Sequence, residues 1–258
     1  MHLIMKNLFQ NLFLKMFKIY GLVFTSNDSS SYDRFIWLKN NLIPAKENAK
    51  FLDIGCGNGW ATFLAKKNNY EPTGLTNSVQ DVNKILNKSK SINLKINTII
   101  ADARNLDKFF SSDYFDIIVN LENIEHIINS ENLISNISDR LKNGGLLYLT
   151  TPNILYRKLL KDTIVKEFPV EDGNHVVRGY SVIRLERILK KYNLFIISKT
   201  FLSGPFSMAL INLDRKYHFL YLRLIMIPFV ITANVLDRVF FKNNQNNLSL
   251  AIIAEKIL

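Results

Sequence analysis

The sequence predicts an α/β fold built on a mostly parallel sheet, and three observations carry that prediction. Residues 49–60 run from an apolar stretch (Phe51, Leu52, Ile54) into glycines at every second position, Gly55, Gly57 and Gly59. Residues 61–67 then place Ala61, Leu64 and Ala65 at helical spacing, so the unit reads strand, glycine turn, helix. Short apolar runs and helical patterns alternate from there onward, as they do when parallel strands are joined by crossover helices. One of those runs, residues 114–120, has the near-continuous apolar character of a strand buried on both faces.

At 258 residues and 48% hydrophobic, the chain is long enough to bury one sizeable core, in one domain or two small ones. Its single cysteine, Cys56, lies inside the glycine turn, so no intrachain disulfide forms, in keeping with a reducing cytoplasm. Cys56 has no partner base nearby in the sequence and reads as a small turn residue. The formal net charge of +11 and a pI near 9.6 imply attraction to anionic partners: nucleic acid, an acidic membrane surface or an anionic substrate. Basic residues are scattered, without a long block, so charge alone does not choose among them.

Residues 1–24 place Leu8, Phe9, Leu12, Phe13, Met16, Ile19, Tyr20 and Val23 at helical spacing, with Lys6, Lys15 and Lys18 largely opposite. The lysines interrupt the apolar run and argue against both a cleaved leader and a membrane span. A helix packed on the domain and an amphipathic helix lying on a membrane are both open readings. A serine-rich linker follows, and residues 32–42 form a second short helix with Phe35, Leu38 and Leu42 on one face, ending before Pro44. We therefore expect an N-terminal helical extension over residues 1–47 and a domain over residues 48–258.

The glycine turn carries the chemistry. Asp53 at the strand's end would repel a pyrophosphate, whereas it can accept hydrogen bonds from a cationic ligand. That favours a positively charged, phosphate-free cofactor over a dinucleotide. Asp53, Gly55, Gly57 and Gly59 form a D-x-G-x-G-x-G signature. With it the chain resembles the class I S-adenosylmethionine-dependent methyltransferases; the alternative is a structural glycine turn in another α/β protein. The resemblance implies a Rossmann-like seven-stranded, mostly parallel sheet with an antiparallel last strand. It also implies that Asp53 and the three glycines hold S-adenosylmethionine.

The later segments extend it. A second strand at residues 70–75 leads to Thr76-Asn77-Ser78. Most of the family ends this strand with an acid that holds the ribose hydroxyls, and Thr76 departs from that pattern. Gly74-Leu75-Thr76-x-Ser78 resembles instead the branch of cyclopropane fatty-acid synthases and the tocopherol and sterol methyltransferases. There a threonine, and a glutamine five residues later, contact the cofactor; here Gln80 falls one residue early and Asp81 stands at the expected offset. Thr76 and Asn77 are the cofactor residues this implies, while Ser78 also reads as the cap of a helix over residues 79–89. After a third strand at residues 97–100, the resemblance gives Asp102 the adenine amino group and Ala103 the adenine ring. A carboxylate is a sound acceptor for an exocyclic amine.

The fourth strand ends at Asn120, counted with the cofactor residues, and Glu122, Glu125 and His126 follow in E-x-x-E-H spacing. That spacing resembles the ubiquinone-biosynthesis O-methyltransferases and related small-molecule enzymes. Open α/β sheets bind ligands at the carboxyl ends of their strands, so this segment faces the reaction centre. Glu122, Glu125 and His126 are suitable ligands if a divalent metal binds; otherwise Glu125 and His126 anchor the next helix. Residues 133–141 form that helix, stopped by Gly144-Gly145, and residues 146–153 form the fifth strand, in a string (LKNGGLLYLTTPN) that resembles the family's signature there.

Residues 154–180, the usual place for substrate contacts in the family, carry His175 before a helix over residues 182–192. A neutral imidazole, from His175 or His126, can take the proton of a substrate hydroxyl; the alternative for His175 is a turn residue bonded to backbone. Strands at residues 194–200 and 248–256 flank a long apolar insertion, residues 201–247. Its most apolar part, residues 224–236, is shorter than the roughly 20 residues of a membrane helix. Its flanking strands also share one sheet, which forbids a single span. Open readings are an in-plane membrane element with Arg215, Lys216, Arg223, Arg238 and Lys242 toward anionic headgroups, a lid over an apolar substrate, and a dimer interface. Pro228 is expected to kink or break any helix there.

The function expected is methyl transfer from S-adenosylmethionine to a hydrophobic or lipid-linked small molecule, at oxygen first, with carbon and nitrogen acceptors left open. A divalent metal is a second candidate cofactor, an anionic membrane surface a candidate partner, and a homo-oligomer is left open. The expected location is the cytoplasm, peripheral at the inner face of the membrane. One alternative, suggested by the charge, is an RNA methyltransferase of the same fold. It ranks behind because the aromatic residues lie in apolar stripes rather than on a basic face. Another, suggested by Thr76, is a membrane-associated relative without catalysis.

Overall fold

The computed structural model describes residues 29–159, 170–171, 173–217 and 223–258. The amphipathic stretch at residues 1–24 lies outside the described residues. Seven strands form one sheet in the order β3-β2-β1-β4-β5-β7-β6. They are β1 (Lys50–Ile54), β2 (Glu71–Thr76), β3 (Asn97–Ile100), β4 (Phe115–Leu121), β5 (Leu141–Pro152), β6 (Leu194–Leu202) and β7 (Ser249–Lys256). Strands β1 to β5 pair parallel, and β7 runs antiparallel between β5 and β6. The expected Rossmann-like sheet is therefore present.

Alternation along β1 explains its two buried faces. Leu52 and Ile54 join Ile118, Leu147 and Leu185 in one apolar cluster, while Phe51 joins Ile117, Val119 and Tyr148 in the other. Helices α4 (Ser130–Arg140) and α6 (Val182–Lys191) supply Ile134, Ile137, Leu185 and Leu189 to the first cluster. The second is covered by α1 (Ser29–Asn41), through Phe35, Trp37 and Leu38, and by α2 (Trp60–Lys67), through Ala61, Leu64 and Ala65. Helix α3 (Val79–Ile92) and the short α5 (Ile154–Leu159) complete the crossover helices.

The expected helix stop at Gly144-Gly145 is corrected, and the expected break at Pro228 does not occur. Helix α4 ends at Arg140, before Gly144-Gly145, and those glycines lie inside β5. Leu141 is fully buried and already pairs with Phe115, so the core pulls the chain into the sheet first. The β4–β5 register then skips from Phe115↔Leu141 to Ile117↔Leu146, and Gly144 (φ +75°) sits in the resulting bulge. In the insertion, α7 (Pro205–Tyr217) is followed by α8 (Arg223–Phe240), which continues through Pro228. Pro228 is exposed in the second turn, and its ring removes one backbone bond there without ending the helix.

Buried polar groups clamp this insertion to α1. Asp33, 2% exposed, accepts from the Ser203 backbone N–H at 2.7 Å and from Arg238 Nη2 at 2.5 Å. Asp237 accepts from the Phe206 and Ser207 backbone N–H groups at 3.0 and 2.9 Å, capping α7. Asn234 Nδ2 donates to Ser29 Oγ at 2.7 Å. Asp33→Ala strands a buried N–H and half of an ion pair, and an expected loss of about 2–3 kcal/mol in urea unfolding measures that clamp.

Candidate active site

The glycine turn follows β1, with Gly55, Gly57 and Gly59 at φ +70°, +50° and +78°. The three have different reasons to lack a side chain. A Cβ on Gly55 would meet Asn123 Oδ1 at 2.5 Å, and one on Gly59 would meet Ile85 Cγ1 at 2.8 Å. On Gly57 its nearest neighbour would be the Gly55 carbonyl oxygen at 4.0 Å, so the space before it is open. Gly55 and Cys56 donate their N–H groups to Leu75 O at 2.9 and 3.0 Å, which ties the turn to β2.

Asp53 lies beneath this turn, 3% exposed. Its Oδ2 accepts from Thr62 Oγ1 at 2.6 Å and from the Thr62 N–H at 3.1 Å, so a strand residue caps α2, whose own cap position, Gly59, has no side chain. Burial raises its carboxyl to about pKa 6, against the lowering effect of the two Thr62 bonds. Burial also pushes the Cys56 thiol up, which leaves it a poor nucleophile.

Thr76, also buried, accepts from the Ser78 N–H at 3.1 Å, and Ser78 Oγ in turn accepts from the Asp81 N–H at 3.3 Å, capping α3 as expected. Asn77 and Gln80 are exposed. Asp81 pairs with Lys84 at 2.7 Å. At the end of β3, Asp102 precedes the 3-10 turn Ala103–Lys108. Both its oxygens are engaged by Arg104, whose Nη2 lies 2.5 Å from Oδ2, and this bond is the main reason its carboxyl is held below the usual range. The guanidinium also reaches Glu171 at 2.9 Å, joining the end of β3 to the segment before His175.

The end of β4 concentrates unsatisfied polar atoms. Asn120 is fully buried, and neither Oδ1 nor Nδ2 has a hydrogen-bond partner among the described residues. The same holds for Glu122 Oε1, Asn123 Nδ2 and Thr150 Oγ1 nearby. A buried group left this way costs about 1–3 kcal/mol, so several together mark a place where a polar ligand completes the structure. S-adenosylmethionine fits such a set: it offers amine, carboxylate, hydroxyl and ring nitrogen, and Gly57 leaves its backbone accessible beside the α2 N-terminus.

The E-x-x-E-H segment turns sharply at Glu122 (φ +50°), which faces Arg34 Nη1 at 3.8 Å. Glu125 is 1% exposed, and its Oε2 accepts from Thr151 Oγ1 at 3.2 Å. Burial first, and Glu122 second, raise its carboxyl well above the ordinary range. Its carbonyl accepts from the Val176 and Val177 N–H groups at 2.8 and 3.0 Å, which draws the His175 segment over β4. His126 Nδ1 is 2.9 Å from Asn174 O, and the His126 and His175 rings meet edge to face, centroids 4.6 Å apart.

The two histidines expected as alternatives thus stand side by side. Ligand atoms of Glu125, His126 and His175 all lie within 4.8 Å of one another. Among the described residues the metal-capable set therefore holds His175 in place of the expected Glu122. Sequence reasoning missed Arg34, Asn123, Thr151 and the Arg104–Glu171 link. Only Asn123 carried a signal, as a polar residue inside the E-x-x-E-H segment.

Comparison with known proteins places this architecture. Residues 32–199 match the family model described as a methyltransferase domain. The chain is 33% identical over 108 residues to (S)-coclaurine N-methyltransferase of Papaver somniferum, covering 40% of this chain and 30% of that protein. It is 26% identical over 178 residues to the ubiquinone biosynthesis O-methyltransferase of Pelagibacter ubique (strain HTCC1062), covering 64% and 70%. The chain spans less than half the length of the first curated relatives it matches. In fold it is similar to phosphoethanolamine N-methyltransferase 2 of Haemonchus contortus, solved with S-adenosyl-L-methionine. The TM-score is 0.60 and the identity 17%, covering 87% of this chain and 52% of that one.

Proposed function

The chain belongs to the methyltransferase domain family, of the class I, S-adenosylmethionine-dependent type, and on that footing we propose that it methylates an apolar small molecule at a hydroxyl oxygen. The observation that carries the reading is the His126–His175 pair beside buried Glu125, at the sheet's carboxyl edge. S-adenosylmethionine supplies an electrophilic methyl group on a sulfonium centre. Gly57, Asn120 and Asp102 are the residues proposed to hold it, with Thr76, Asn77 and Ala103 around the ribose and adenine. Asp53 fixes the turn from below. An imidazole of the pair accepts the hydroxyl proton, while Glu125 and the backbone carbonyl of Asn174 orient the His126 ring. A divalent metal held by Glu125, His126 and His175 would be an alternative to the imidazole base, since it would occupy those nitrogens and itself lower the hydroxyl's pKa.

One observation favours a second acceptor class. Glu122 Oε1 is buried without a partner among the described residues, beside buried Glu125. A carboxylate so placed suits an amine, and N-methylation of a cationic apolar molecule is the second reading. In either reading the protein works in the cytoplasm, peripheral to an anionic membrane face. No helix among the described residues is long and apolar enough to cross a membrane.

Calorimetry and a methyl-labelled transfer assay test the proposal together. Asp102→Ala is expected to weaken S-adenosylhomocysteine binding by about 10–100-fold, the worth of a hydrogen bond to a charged group. His126→Asn and His175→Asn are expected to leave that affinity intact and to slow transfer to phenolic acceptors by about 100-fold or more. Transfer to phenols that ignores both histidine changes would remove the base from the mechanism. Labelling confined to amines would select the second reading.

A further inference from the structure

Helix α8 is built inside out. Between residues 224 and 240 its only charged side chains are Asp237 and Arg238. Asp237 is buried against the start of α7, and Arg238 is bound to buried Asp33. Asn234 is likewise turned inward, to Ser29. The outward face is then Pro228, Phe229, Thr232, Val235 and Val239, with Phe229 57%, Val235 51% and Val239 67% exposed. A helix that faced water would show the reverse pattern, so this face is made for an apolar surrounding.

Charge selects the occupant. Residues 205–247 contain two acids, Asp214 and Asp237, of which Asp237 is buried and Asp214 half-buried. Against them the sequence sets Arg215, Lys216 and Arg223 at the α7–α8 corner and Lys242, exposed, beyond the other end of α8. The whole chain carries +11. An apolar stripe in a segment so rich in cations matches an anionic bilayer surface better than a second copy of an equally cationic chain. We infer that the outward face of α8 docks the protein in the plane of an anionic membrane.

Two placements join this face to the site. Val230, on the inner side of α8, shares an apolar cluster with Cys56 of the glycine turn and with Phe63 and Ile85, so α8 stands beside the cofactor cradle. Ser29, at the start of α1, is buried against Asn234, which fixes α8 to α1 over the same side of the sheet as the glycine turn's helix α2. A membrane-seated α8 would let an apolar acceptor reach the site from the bilayer. That consequence rests on the methyl-transfer reading; the docking itself does not.

The test is flotation of the full chain with phosphatidylcholine vesicles, with or without phosphatidylglycerol, alongside S-adenosylhomocysteine calorimetry. The wild type is expected to float only with anionic vesicles, and less as salt is raised. Val235→Asp/Val239→Asp is expected to lower vesicle partition by about tenfold or more with unchanged cofactor affinity. Thr232→Asp, at an exposed and already polar position, repeats the test where packing has least to lose. Equal flotation of these variants, flotation indifferent to lipid charge, or no flotation would overturn the inference. So would a wild-type dimer that the variants convert to monomer without any lipid dependence. Failure of cofactor binding alone would strike the proposed function and leave the docking standing.

Discussion

Asp53→Asn is expected to make the free protein more stable at pH 8 and a weaker binder of S-adenosylmethionine. Burial raises this carboxyl from 3.8 to about 6 in the folded chain. A raised folded-state pKa contributes stability that is fully present below the unfolded value and lost as pH rises through the folded one. Between about pH 4 and pH 6 the wild type therefore loses stability that the asparagine variant keeps. At about 1.4 kcal/mol per unit, the gap approaches 3 kcal/mol above pH 7 and closes below pH 4. Asparagine Oδ1 accepts the same two bonds from Thr62, although its amide must find an acceptor, which trims the gain. Urea unfolding at pH 4, 6 and 8 reads the stability, and calorimetry reads the binding, expected to fall by about tenfold as the negative charge beneath the turn is removed. A variant less stable than wild type at pH 8 would mean that the Thr62 bonds outweigh burial, and the carboxylate would then be a structural asset alone.

The same residue shows where sequence reasoning stops. The D-x-G-x-G-x-G spacing located the turn, because a strand that breaks into alternate glycines before a helix has few other meanings. It did not reveal that Asp53 would be taken by Thr62, since the bond depends on how α2 leaves the turn in three dimensions. The strands were legible because Phe51, Leu52, Ile117 and Ile118 form apolar runs whatever their neighbours. The end of α4 was not, because Leu141 prefers its place in the core over the local stop signal of Gly144. At the carboxyl end of β4 the polar residues Asn120, Glu122, Glu125 and His126 were legible as a group. Which of them meet was set by backbone detail: the positive φ of Glu122 and the two N–H groups that bind the Glu125 carbonyl. Those bring His175, from a distant segment, to His126. Periodicity does not encode such a meeting.

The glycines of the turn should separate under alanine substitution, since only Gly57 faces open space. Gly59→Ala puts a methyl group 2.8 Å from Ile85 Cγ1 and 3.3 Å from the Phe63 ring, in a fully buried cluster and at φ +78°. Left-handed strain and overpacking together are expected to cost about 3 kcal/mol of stability. Gly57→Ala meets nothing closer than 4.0 Å and is expected to bear only the strain of φ +50°, about 1–2 kcal/mol. Its methyl group, however, occupies the space where a ligand would approach the bare backbone. Cofactor affinity is therefore expected to fall by about 100-fold, equal to about 3 kcal/mol of binding. Chemical unfolding and calorimetry on the two variants make a crossed comparison in which each substitution fails a different assay. If Gly57→Ala binds S-adenosylhomocysteine as tightly as wild type, the open space before Gly57 is not the cradle. The cofactor would then have to be sought nearer Asn120 and Glu122, whose unsatisfied buried atoms are the other mark of a polar ligand's place.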